Sequence, residues 1–108
     1  MPQFNLGTNS GASCSASLRE KLGAILAGSG ASFVLDGRFK GGWITRSFGR
    51  PQEGVEAVQM ELGCRGYMEE PAHIDEANWP SPFDGARASR IQPTLRLVLE
   101  AMLAACGA

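Results

Sequence analysis

Val55-Glu56-Ala57-Val58-Gln59-Met60-Glu61-Leu62 decides how this chain folds. Val58, Met60 and Leu62 alternate with Ala57, Gln59 and Glu61, and a period of two belongs to a strand with one buried face. The stretch predicts a strand over residues 55–62 with Gln59 and Glu61 pointing to the same side. A carboxylate in an otherwise apolar strand is expensive to bury without a partner. Two readings stay open from the pattern alone. Either this face borders a site in which Glu61 is a general base, or the strand lies at an edge with its polar face in water.

Working upstream, Trp43-Ile44-Thr45-Arg46 reads as a short strand ended by Gly49, Arg50 and Pro51, and Ser32-Phe33-Val34-Leu35-Asp36 as another. A helix precedes them. Leu18, Leu22, Ile25 and Leu26 share one face, Ser17 and Glu20 have the spacing of a capping box, and Gly28-Ser29-Gly30 stops the run. Arg19, Glu20 and Lys21 read as its solvated side. Residues 4–11 read as a short strand end running into a loop of Gly, Ser, Asn and Thr. Downstream, residues 66–82 are broken by Pro71, Pro80 and Pro82 and predict a surface loop, which holds the chain's one histidine, His73. Ile91, Leu95, Val98, Leu99, Met102 and Leu103 then recur at helical spacing. The apolar series keeps its phase through Pro93, which predicts one kinked helix starting near Asp84.

Helices alternating with apolar strands define a layered α/β unit. About three strands and two helices are few for a complete doubly wound domain, so the chain reads as part of something larger. With 108 residues, 44% apolar and 19% charged, the composition is globular. A net charge of −1 offers no broad attraction to nucleic acid or to an anionic membrane. Neither a span-length apolar run nor a signal-like N-terminus is present, which makes a cytoplasmic location the expectation. Cys14, Cys64 and Cys106 are odd in number and widely spaced, and are expected to be reduced and packed as small apolar residues.

Besides the Gln59–Glu61 strand, two segments could carry chemistry. Asn5-Leu6-Gly7-Thr8-Asn9-Ser10-Gly11-Ala12-Ser13-Cys14 leads into a helix; free N–H groups there suit a carboxylate, although an ordinary capped loop explains the same residues. Asp36-Gly37-Arg38-Phe39-Lys40-Gly41-Gly42-Trp43-Ile44-Thr45-Arg46 gathers Arg38, Lys40 and Arg46 around adjacent glycines. Such a loop can clamp a carboxylate through its guanidinium groups, or be a basic surface hairpin.

These segments, in this order, resemble the N-formylglutamate amidohydrolase family. The likeness is carried by Phe4-Asn5-Leu6-Gly7-Thr8-Asn9, by Gly37-Arg38-Phe39-Lys40-Gly41-Gly42-Trp43-Ile44-Thr45-Arg46, by Gly49-Arg50-Pro51, and by Gln59-Met60-Glu61-Leu62 followed by Tyr67-Met68. The resemblance implies that residues 1–108 are the C-terminal portion of a single amidohydrolase domain. It implies a partial three-layer α/β/α sandwich like that of zinc-dependent carboxypeptidase-like hydrolases. It implies hydrolysis of the N-formyl amide of N-formyl-L-glutamate in histidine breakdown, with Glu61 as general base, Arg38 and Arg46 on the substrate carboxylates, and Asn9 as a further substrate contact. A divalent metal, zinc foremost, belongs to that chemistry; its ligands are expected earlier in the family's chain than anything present here, so the chain alone is expected to be inactive. Ser47 stands where relatives often carry histidine. The expected partner is a small N-acyl amino acid, with self-association through exposed sheet edges. A non-catalytic carboxylate-binding module and an inactive remnant are the alternatives.

Overall fold

The computed structural model describes residues 1–107. Three strands form one sheet in the order β2-β1-β3, where β1 is Phe4–Gly7, β2 is Phe33–Leu35 and β3 is Gln59–Leu62. β1 and β2 are parallel, and helix α1, Ala16–Ala27, connects them. β3 runs antiparallel to β1, with Phe4 opposite Leu62, Asn5 opposite Glu61, Leu6 opposite Met60 and Gly7 opposite Gln59. This register separates two faces. Phe4, Leu6, Met60 and Leu62 meet the helices; Asn5, Gly7, Gln59 and Glu61 turn the other way.

On the apolar face, Phe4 and Leu6 pack with Leu18, Leu22 and Leu26 of α1 and with Ile91, Val98 and Ala101 of α3, Gly85–Ala105. The stripe expected for α1 is thus the one it buries. Along α3 the buried line runs through Ala88, Ile91, Thr94, Val98 and Ala101, while Leu99 and Leu103 face outward. Leu95 and Met102 flank that line, partly buried against the core. α3 continues through Pro93 as one helix, and Asp84 caps its start by accepting from Arg87 N at 3.1 Å.

Three local expectations are corrected. The strand expected at Trp43-Ile44-Thr45-Arg46 is helical: α2 spans Trp43–Phe48, with Gly42 before it and Gly49 N–H closing onto Thr45 O at 3.1 Å. The β propensity of aromatic and β-branched residues depends on packing against neighbouring strands, and this segment pairs with none of the three. The strand expected over residues 55–62 pairs only from Gln59. Before that, Val55 bridges Arg50 and Ala57 N donates to Ser13 O at 2.9 Å, so loops take up its backbone groups. The N-cap of α1 is Ser15 rather than Ser17; its hydroxyl accepts from Leu18 N at 3.3 Å. Ser15 N in turn donates to Glu56 Oε2 at 2.7 Å. A carboxylate from a distant loop does what Glu20 was expected to do locally. Residues 66–82 form the irregular surface loop expected of them, with short turns at Cys64–Gly66 and over 76–78 and a bridge from Met68 to Phe83.

Candidate functional site

The polar face of the sheet lies under the segment from Asp36 to Phe48, at the carboxyl ends of the parallel strands β1 and β2. Loops leaving strands at that end are where ligands are usually received in α/β sheets. Contacts from β1, its following turn and β3 seat this segment. Asn5 Nδ2 donates to Phe39 O at 2.6 Å, Asn9 N to Lys40 O at 2.7 Å, and Gly42 N to Gln59 Oε1 at 2.5 Å. Gly7 lets the loop come this close: a Cβ there would stand 2.7 Å from Gly41 N and from the Lys40 carbonyl carbon.

Glu61 is half-buried on this face, and Gln59 Nε2 donates to its Oε1 at 2.7 Å. The two side chains share a side, as their spacing predicts. β3 is an edge strand, and its polar face is half-buried, with the 36–48 segment over the Gln59 end. Arg46 lies on α2, exposed, with Nη1 donating to Gly41 O at 3.1 Å. Arg38 is exposed with its guanidinium 5.6 Å from the Phe39 ring centroid. Asn9 is half-buried in the left-handed region, at φ 50°. Asn9 and Arg46 thus bond the Lys40-Gly41 backbone, Glu61 reaches Gly42 through Gln59, and Arg38 lies within the same loop. Among the described residues no ion pair joins either arginine to a carboxylate of the site. Ser47 lies on α2, half-buried, and its carbonyl accepts from Arg50 Nη2 at 3.4 Å.

Asp36 holds the site together and has no separate role in the sequence reading. Its backbone is left-handed at φ 52°, beside Asn9 and Ser10 at 50° and 55°. Such angles are strained for residues other than glycine and need compensation. The side chain, 7% exposed, supplies it. Oδ1 accepts from Thr8 N at 2.7 Å and Ser10 N at 3.1 Å; Oδ2 accepts from Thr8 Oγ1 and from Arg19 Nη2 at 3.0 Å. Burial pushes the Asp36 carboxyl up, but the donors from Thr8, Arg19 and Ser10 outweigh it and hold the group below its ordinary value. Arg19, expected on the solvated side of α1, is corrected to an ion-pair partner. A carboxylate ending an apolar strand just before a glycine was the signal available.

All three cysteines are free, and only Cys14 is fully buried; Cys106 is exposed, contrary to the packing expected of it. Burial, reinforced by the negative charge of Glu56, raises the Cys14 thiol, which disfavours the nucleophilic thiolate. Among the described residues no three His, Cys, Asp or Glu side chains converge to hold a metal ion, and His73 is exposed. The residues present do not fit a divalent metal centre.

The polar sheet face thus carries Asn5, Gln59 and Glu61 beneath a loop that holds Arg38, Lys40 and two adjacent glycines. Residues 1–68 match the model of the family N-formylglutamate amidohydrolase, and the chain belongs to that family. It is 45% identical over 105 residues to an N-formylglutamate deformylase of Pseudomonas aeruginosa, and 44% identical over 105 residues to one of Pseudomonas putida. Each match covers 96% of this chain and 37% of the relative, so the chain spans little more than a third of their length. The fold is similar to the crystal structure of N-formylglutamate amidohydrolase from Ralstonia eutropha JMP134, with TM-score 0.72 and 22% identity over 97% of this chain and 34% of that one.

Proposed function

We propose that a protein of the relatives' length carrying this segment hydrolyses the N-formyl amide of N-formyl-L-glutamate to formate and L-glutamate, as a step of histidine breakdown in the cytoplasm. The observation that carries this reading is the Glu61 carboxylate, oriented by Gln59 beneath the arginine-bearing loop, in a chain of this family. Glu61 takes the proton from the water whose oxygen attacks the formyl carbon. It then delivers that proton to the amide nitrogen as the C–N bond breaks. Arg38 and Arg46 hold the substrate carboxylates, and Asn9 gives a further contact. The substrate class is a small N-acyl amino acid, with neither nucleic acid nor membrane as partner; no helix among the described residues is long and apolar enough to cross a membrane.

A divalent metal, zinc by preference, is part of the chemistry proposed for such a protein. The described residues offer no ligand set for it, so its ligands would come from other parts of that protein. Residues 1–108 would then be the C-terminal portion of one domain, a three-layer α/β/α sandwich of the carboxypeptidase-like kind. α1 and α3 would be one outer layer, the sheet the middle one, and the face carrying Glu61 would look toward the rest.

Arg46→Ala separates binding from chemistry. A guanidinium that holds a carboxylate equally in ground and transition states contributes uniform binding. In a chimaera in which residues 1–108 replace the aligned part of the Pseudomonas putida relative, Arg46→Ala is expected to raise KM on the order of 10-fold with kcat nearly unchanged, as befits a charge-assisted hydrogen bond. A kcat loss at constant KM would remove Arg46 from substrate binding. By itself, the 108-residue chain is expected to self-associate. β2 and β3 are both edge strands, Phe33 is exposed on β2, and α2 presents Trp43 and Ile44 at 67% and 69% exposure. Sedimentation velocity across a concentration series checks this; a monomer independent of concentration would refute it.

A further inference from the structure

We infer that Gln59 is a positioning residue that latches the substrate-binding loop to the general base, so that loop seating and orientation of Glu61 are coupled. The inference rests on the proposed role of Glu61. The side-chain amide of Gln59 stands between two groups that leave it a single orientation. Gly42 N–H can only donate, so the amide oxygen must face it, and does so at 2.5 Å. The amide nitrogen must then face outward, and it meets Glu61 Oε1 at 2.7 Å, a carboxylate oxygen that can only accept when ionised. Turning the amide over would oppose donor to donor at one end and acceptor to acceptor at the other.

The latch is placed by the sheet. Gln59 and Glu61 are two residues apart on β3 and so share a face. Opposite them on β1 stand Gly7 and Asn5. Gly7 has no side chain to hold the loop away, and Asn5 fixes Phe39 O at 2.6 Å. Gly42 is itself suited to the contact, since a Cβ there would lie only 3.2 Å from Gln59 Oε1. Gly42 also opens α2, the helix that carries Arg46, whose Nη1 bonds back to Gly41 O at 3.1 Å. A displacement of the Gly41-Gly42 backbone, as when Arg46 engages a carboxylate, is therefore transmitted through one rigid amide to the base.

Two substitutions divide the functions of the amide. Gln59→Glu keeps an oxygen for Gly42 N–H but sets a second carboxylate against Glu61. Gln59→Met keeps the length of the side chain and removes both hydrogen bonds. In the 108-residue chain, amide hydrogen exchange at Gly42 is expected to be on the order of 10-fold faster in Gln59→Met, from loss of one hydrogen bond, and unchanged in Gln59→Glu. In the chimaera, Gln59→Glu is expected to lower kcat on the order of 10-fold with KM nearly constant, and Gln59→Met to lower kcat and raise KM together. A merely structural Gln59 would reduce the amount of active protein in both variants and leave KM alone. Equal Gly42 exchange in wild type and Gln59→Met, or the same kcat and KM pattern in both variants, overturns the latch. If the unsubstituted chimaera does not turn over N-formylglutamate, the proposed function fails instead, and Gly42 exchange still decides whether the latch exists.

Discussion

Glu61→Gln in the chimaera is expected to lower kcat on the order of 10²–10⁴-fold, the usual consequence of removing a positioned general base. The substitution isolates chemistry from packing. An amide has nearly the volume of a carboxylate, and its oxygen still accepts from Gln59 Nε2, which meets Glu61 Oε1 at 2.7 Å in the native chain. The β3 register, with Glu61 opposite Asn5, should survive. What the amide cannot do is take a proton from water at neutral pH. KM should therefore change little while kcat collapses, the reverse of the pattern expected for Arg46→Ala. Steady-state kinetics on N-formylglutamate, with circular dichroism to confirm the fold, measures both. A Glu61→Gln variant with near-native kcat would reduce Glu61 to a polar residue of the sheet and leave the proposed mechanism without a base in this chain.

The largest expected effect on stability is at Asp36. Its carboxylate accepts from the backbone of Thr8 and Ser10, from the Thr8 hydroxyl and from Arg19, while only 7% exposed. Asp36→Asn removes the charge and turns one acceptor into a donor facing Thr8 Oγ1 or Arg19. Hydrogen bonds to a charged group contribute about 1.5–3 kcal/mol each. Arg19 is 36% exposed, so water recovers part of its share. A net loss of about 2–3 kcal/mol follows, a large fraction of the about 5–15 kcal/mol that stabilises an ordinary domain. The pH dependence has a definite sign. The folded-state pKa of Asp36 lies below the ordinary value of 3.8. Its stabilisation is therefore fully present above about pH 4–5 and is lost as pH falls through the depressed folded value. Urea unfolding of wild type and Asp36→Asn should differ most at neutral pH and converge in strong acid. A constant difference down to acid pH would mean that the charge of Asp36 is not what holds the loop.

Asp36 and Gln59 anchor the 36–48 segment at two points. Asp36 holds the Thr8–Ser10 turn at the end of β1, and Gln59 holds the Gly41-Gly42 backbone over β3. Asn5 ties Phe39 between them. The loop bearing Arg38 and the helix bearing Arg46 are thus fixed by side chains of three separate strands or strand ends, none of which carries the substrate contacts proposed here.

Several of these elements could be read from residue order because their signals are local. Leu18, Leu22 and Leu26 recur at helical spacing and are the residues α1 buries. The alternation through Met60 and Leu62 set Gln59 and Glu61 on one face, and a slip of one residue would turn the apolar set outward. The apolar phase running through Pro93 indicated one helix, since packing along its face offsets the hydrogen bond that proline removes. The family resemblance carried by Gly37–Gly42 and Gln59–Leu62 lies in short contiguous motifs, and these too are visible in one dimension.

What tertiary structure decided involves partners far apart in the chain. Trp43-Ile44-Thr45-Arg46 has strand-like composition, yet it forms a helix and pairs with none of the three strands. Ser15 caps α1 with the help of Glu56, 41 residues away. Arg19 leaves the solvated face to meet Asp36, and Leu99 and Leu103 lie outside the α3 contact line through Ala88, Ile91, Thr94, Val98 and Ala101. Periodicity states which face of an element is apolar. It does not state which buried carboxylate will collect the N–H groups of a strained turn, or which amide will lie between a loop and a base. Those choices depend on distances of about 3 Å between residues that only folding brings together.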